Sequence, residues 1–128
     1  MMISVLAAAA AASAFNLVCS GQHTIGDLTK FLAPPATPPV AGTRTYRADL
    51  VAGRWCSDKC ETSNVIARVS PNQIVFRVRD SGDMNGELEM VNREDGTLLD
   101  RTRIYPTVIM FSGKCEPAPF TGLPPRKF

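Results

Sequence analysis

The chain has 128 residues, 14 basic against 12 acidic side chains, a formal net charge of +2 and 45% hydrophobic residues. That length is one domain's worth, and so balanced and scattered a charge gives no argument for nucleic acid or an anionic membrane surface as partner. Four cysteines and ten prolines against a single histidine describe a cross-linked, loop-punctuated domain.

Residues 3–14 carry no charge and end in Ala12-Ser13-Ala14. An apolar run closed by small residues reads as a secretory signal peptide over residues 1–14, too short to stay in a bilayer as a spanning helix. Its n-region is only Met1-Met2, without Lys or Arg. The mature chain, residues 15–128, is then a single domain, periplasmic or secreted, and not an integral membrane protein. Export puts Cys19, Cys56, Cys60 and Cys115 in an oxidising compartment, where structural disulfides are the expectation. Four cysteines allow three pairings. The favoured one joins Cys56 to Cys60 locally and Cys19 to Cys115, tying the first strand to the last. On the chain-entropy model the long loop is worth about 4.7 kcal/mol and the short one about 2 kcal/mol. A zinc site would want two close cysteine pairs, and Cys-Ser-Asp-Lys-Cys is not the C-x-x-C spacing of a redox pair. A lipid anchor at Cys19 is opposed by Val18 and Asn16. No metal or cofactor is expected.

Residues 22–30 are polar and mixed, with at most a short helical turn near residues 25–31. A proline-rich loop follows at residues 33–40. From Thr43 onward the period is two. Tyr46, Ala48 and Leu50 alternate with Arg47 and Asp49. Val65, Ala67 and Val69 alternate with Ile66 and Arg68. Ile74, Phe76 and Val78 alternate with Val75, Arg77 and Arg79, and Leu88 and Met90 with Glu87 and Glu89; residues 98–105 and 107–114 complete the set. Each reads as a half-buried strand, and the pairs Arg77/Arg79 and Arg101/Arg103 read as solvent faces. Ser70-Pro71-Asn72, the acidic stretch at residues 80–83 and Glu94-Asp95-Gly96 supply the turns, and Asp95-Gly96 is the clearest hairpin signal. The fold expected is all-β: an antiparallel meander of seven or eight short strands, disulfide-stapled, forming a small barrel or sandwich. A terminal Phe128 suits an outer-membrane barrel, but Pro124-Pro125 and a shortage of Trp and Tyr argue against one.

Chemistry is sparse. His23 stands in a polar stretch with no nucleophile elbow or other signature to give it a catalytic partner. Glu87 and Glu89 share a strand face and would suit paired-carboxylate hydrolysis only if they lined a cleft; a solvated face is the expectation. The acidic turn from Asp80 to Asp83 lacks EF-hand spacing. Trp55, beside Cys56, is expected to pack in the core. No catalytic residue is assigned.

Gly53-Arg54-Trp55 is similar to the Gly-x-Trp element of lipocalins, which implies a barrel that holds apolar ligands. Over residues 15–128 the chain resembles a group of small exported bacterial proteins to which no activity is attached. The shared pattern is Phe15-x-Leu17-Val18-Cys19, Tyr46-Arg47-x-Asp49-Leu50, Arg54-Trp55-Cys56 with Cys60, Asn92-Arg93-x-x-Gly96, Gly113-x-Cys115 and Pro119-Phe120-x-Gly122. The resemblance supports the disulfides and implies no site residue. The expectation is an exported, non-catalytic binding or structural module of the bacterial envelope, its partner an envelope protein. Contacts are expected at residues 22–40, 80–86 and in the tail 120–128, with Phe120 plugging one end. The alternatives are a periplasmic protein inhibitor, similar in architecture to inhibitors of c-type lysozyme, and a carrier of a small apolar ligand.

Overall fold

The computed structural model describes residues 13–29, 38–82 and 85–125; most of the leader and of the proline-rich loop, Asp83 and the last three residues lie outside them. Nine strands form one antiparallel sheet: β1 (Ala14–Asp27), β2 (Val40–Asp49), β3 (Arg54–Ser57), β4 (Asn64–Val65), β5 (Arg68–Val69), β6 (Gln73–Gly82), β7 (Asn85–Asn92), β8 (Thr97–Ile104) and β9 (Thr107–Ala118). Their order, β4-β3-β2-β1-β9-β8-β7-β6-β5, is two meanders joined where the first strand lies against the last. The sheet curls into a half-barrel, and the described residues contain no helix.

The two edge strands are consecutive in the chain. Between them, Ile66 N–H donates to the Gly53 carbonyl at 2.9 Å and Ala67 N–H to the Phe76 carbonyl at 3.3 Å. One bent segment therefore reaches both ends of the sheet, which shortens the exposed edges. Of the alternation read at residues 65–69, only Ile66 turns into the core; Val65 and Val69 are exposed.

The two disulfides are Cys19–Cys115 and Cys56–Cys60. Cys19 and Cys115 are directly opposed across β1 and β9, so the bridge locks the seam between the meanders. Asp95 and Gly96 close the β7–β8 hairpin, the Gly96 N–H returning to the Asn92 carbonyl at 2.9 Å, and the β8–β9 hairpin turns on a cis Tyr105-Pro106 bond. No helical turn forms at residues 25–27: β1 stays paired with β9 as far as Asp27 against Thr107. Those backbone groups are satisfied by the partner strand, which outweighs the weak helical signal of a polar stretch.

One half of the concave face is apolar. Tyr46 and Phe76 stack with ring centroids 4.8 Å apart, and Trp55 leans on Phe76 at 4.9 Å. Phe15, Leu17, Ile74, Val91, Leu98 and Phe111 surround them, all buried. Trp55 thus belongs to the core as expected, though its indole Nε1 is buried without a hydrogen-bond acceptor. Behind β1 the tail crosses the convex face: Asn16 Nδ2 donates to Thr121 Oγ1 at 2.9 Å, Thr121 N–H returns to Asn16 Oδ1 at 3.2 Å, and Arg47 donates to the Gly122 carbonyl. Phe120 is only half-buried and stands outside the core cluster, so it does not plug the end; the stacked aromatics already fill that space.

Candidate functional site

The other half of the concave face is charged, and a backbone irregularity puts it there. Along β6 the register against β7 shifts between Val75 and Arg77, leaving Phe76 as the extra residue. Such a bulge lets two successive side chains point to the same side. Phe76 enters the aromatic stack, and Arg77 also turns inward to sit opposite Glu89. Val78, which simple alternation places in the core, is 54% exposed instead. Arg77 and Arg79 are exposed, as the solvent-face reading expects, their side chains 47% and 67% accessible. They nevertheless stand on the side of Glu89 and Glu87, because one inserted residue reverses the phase downstream. Arg101 and Arg103 are partly buried instead.

The register aligns Arg77, Glu89, Asp100, Phe111 and His23 in one row across five strands. Glu89 is its centre and is 2% exposed. Its Oε1 accepts from Arg77 Nη2 at 3.0 Å, and its Oε2 accepts from the Tyr46 hydroxyl and from Arg44 Nη1 at 3.3 Å. Arg44 also donates to Asp100 Oδ2 and to the Tyr46 oxygen, the latter at 3.2 Å, and its guanidinium lies 4.6 Å from the Phe111 ring centre. One step toward the open end, Arg79 holds Glu87 at 3.5 Å. Three arginines face three carboxylates, and the Tyr46 hydroxyl joins this network to the aromatic stack below it.

Burial and neighbours set the protonation. Burial pushes the Glu89 carboxyl above its ordinary value, against the pull of the Tyr46 hydroxyl and the two guanidiniums. The Tyr46 phenol is pushed well up, by burial first and then by Glu89. Arg44 is held firmly protonated: burial works against its charge, but the bonds to Tyr46 and Asp100 prevail.

The expectation of a solvated Glu87–Glu89 face is overturned at Glu89, whose side chain points into the core because β7 presents Leu88 and Met90 outward at this end. Both Glu89 oxygens are occupied by protein donors, so the arrangement acts as a brace between β2, β6, β7 and β8. His23 is not in a loop. It is an exposed residue of β1 whose ring tilts against Phe111 at 4.6 Å and lies over Gly42, where a Cβ would come within 2.8 Å of Nε2. Asp80 caps the β6–β7 hairpin, its Oδ1 accepting from Gly82 N–H at 3.0 Å. Among the described residues no group of three His, Cys, Asp or Glu is placed to hold a metal, and no helix is long and apolar enough to cross a membrane.

Arg44, Tyr46 and Asp100 escaped the sequence reading as a charged cluster. A signal for them existed: Asp100-Arg101-Thr102-Arg103 puts charge on both faces of one strand, so one charged face had to meet something other than water.

The open end, where β1 and β8 finish and β2 and β9 begin, carries exposed apolar residues. Ile25 and Ile109 face each other across β1 and β9, 42% and 47% exposed. Val40, paired with His23, and Ile104 and Tyr105 in the β8–β9 hairpin are exposed beside them. Comparison with protein-family models, with curated proteins and with solved structures gives no match to the chain.

Proposed function

We propose that the mature chain is an exported, non-catalytic module of the bacterial envelope that binds a protein through its open end. The observation that carries this reading is the group Ile25, Val40, Ile104, Tyr105 and Ile109, exposed together at one end of the sheet. Apolar side chains gathered on the rim of a braced scaffold suit a partner surface with an apolar centre. The carboxylates that would otherwise serve catalysis are tied to arginines, and the concave face is filled by stacked rings, which directs contact to the outside. A protein inhibitor is the special case in which the partner is an enzyme. Export is supported by the apolar leader and by two disulfides that an oxidising compartment preserves.

The test is capture of a protein from the host envelope by the mature chain, compared with Ile25→Thr/Ile109→Thr and with Val51→Thr as a control at the opposite end. One saturable complex is expected, weakened at least about tenfold, or about 1.4 kcal/mol, by the paired change and untouched by the control. A complex indifferent to Ile25 and Ile109, or none at all, contradicts the reading.

A further inference from the structure

The arginines divide by what they touch. Arg44, Arg77 and Arg79 hold carboxylates. Arg47 donates to the Gly122 carbonyl, Arg54 to Ser63 and Arg93 to the Ser70 carbonyl. Arg101 and Arg103 differ: neither has a hydrogen bond or ion pair among the described residues, yet both are partly buried. Arg68 is also without such a partner, but it is exposed. A guanidinium that gives up part of its hydration without gaining an acceptor is unfavourable, so two on one strand face call for an anion.

The space for one is present. Arg101 and Arg103 line a cavity of about 160 Å³ on the convex face, with Val78 and Leu88 as its apolar wall and Asp80 at its rim. Gly86 lies in the cavity wall between Arg103 and Asp80 in the register. A Cβ there would come within 2.7 Å of the Arg79 carbonyl oxygen, so no side chain fills the space above it. The cavity exceeds the roughly 30 Å³ share of a liquid water several-fold, enough for a tetrahedral oxyanion with water around it. Residues two apart on a strand stand about 7 Å apart on one face, so the two planar forks can grip one group from two sides. Arg79 and Glu87 also line the cavity but are paired with each other, Glu89 and Asp100 are committed to the inner arginines, and Asp80 is the remaining carboxylate at this rim among the described residues.

We propose that this cavity is a phosphate-binding site in which Arg101 and Arg103 hold the oxyanion, either free or carried on a lipid headgroup. It stands on the convex side of the sheet and is independent of the apolar rim.

The full mature protein in phosphate-free, low-salt buffer would be titrated with inorganic phosphate by calorimetry, and mixed with phosphatidylcholine vesicles with and without phosphatidic acid. Saturable phosphate binding is expected, weakened at least tenfold by Arg101→Gln or Arg103→Gln and unchanged by Arg68→Gln. Vesicle binding that needs both phosphatidic acid and the two arginines assigns the headgroup; phosphate binding alone assigns the free ion. Because these arginines hold no internal partner, the variants should melt as the wild type does without phosphate, and phosphate should raise only the wild-type midpoint. Saturable binding of neither probe, or binding that survives Arg101→Gln and Arg103→Gln, overturns the proposal.

Discussion

The two halves of the concave face are built from the same strands and held by different physics. Near β3 the space between strands is filled by Tyr46, Trp55 and Phe76, whose stability comes from area removed from water and from ring packing. Toward the open end, β2, β6, β7 and β8 are held by Arg44, Arg77, Glu89 and Asp100, which are stabilising only while each charge keeps its partner. An inward-facing position therefore need not be apolar. It must be satisfied, and guanidinium–carboxylate pairing satisfies it as well as a ring does. Tyr46 belongs to both halves, its ring in the stack and its hydroxyl on Glu89.

The two halves should therefore break differently. Phe76→Ala removes the middle of the stack and should cost about 3–5 kcal/mol in urea unfolding, at any pH. Glu89→Leu removes an acceptor that Arg44 and Arg77 share, though Asp100 still faces both and Arg77 is half exposed, and should cost about 1–3 kcal/mol. A loss well below about 1 kcal/mol would show that Asp100 and water compensate both arginines fully. Tyr46→Phe keeps the ring and deletes the link between the halves; about 1–3 kcal/mol is expected, the cost of one buried hydrogen bond.

The smallest effect separates the halves by pH. Burial raises the Glu89 carboxyl above its ordinary value of 4.5, so the folded state keeps that proton to higher pH than the unfolded chain does. The associated stability is complete below about pH 4.5 and is lost as pH rises through the folded value. The difference in unfolding free energy between wild type and Glu89→Gln should therefore decline as pH rises from 4.5. Asp95 works in the opposite sense: the backbone N–H and hydroxyl of Thr97 lower its value below 3.8, giving stability present above that pH and lost on acidification. A wild-type minus Glu89→Gln difference that stays flat would remove Glu89 from the buried network.

Most of the fold was legible because period-two alternation and turn residues act locally. Glu94-Asp95-Gly96 makes its hairpin from its own backbone, and the Cys19–Cys115 pairing follows once the first and last strands are neighbours. The charged half was not legible, because the bulge at Phe76 is set by the partner strand and by the stack that receives the extra ring. Upstream of it Ile74 and Val91 face the core as the pattern says; downstream the phase inverts, so that Arg77 and Arg79 share the side of Glu89 and Glu87 while Val78 is left exposed opposite Leu88. The length of β1 was missed for a similar reason, since residues 22–27 owe their extended form to pairing with β9. The open-end patch and the Arg101–Arg103 cavity required a convex and a concave face to be told apart, which alternation alone cannot do once its phase has slipped.

A double-mutant cycle on Arg44→Gln and Glu89→Gln, followed by urea unfolding at neutral pH, tests the brace most directly. A coupling of about 1–3 kcal/mol is expected, since the two side chains share a buried contact and a common partner in Tyr46. A coupling within about 0.5 kcal/mol of zero would mean that the two charges are solvated separately, and the inward charged face would not be a brace.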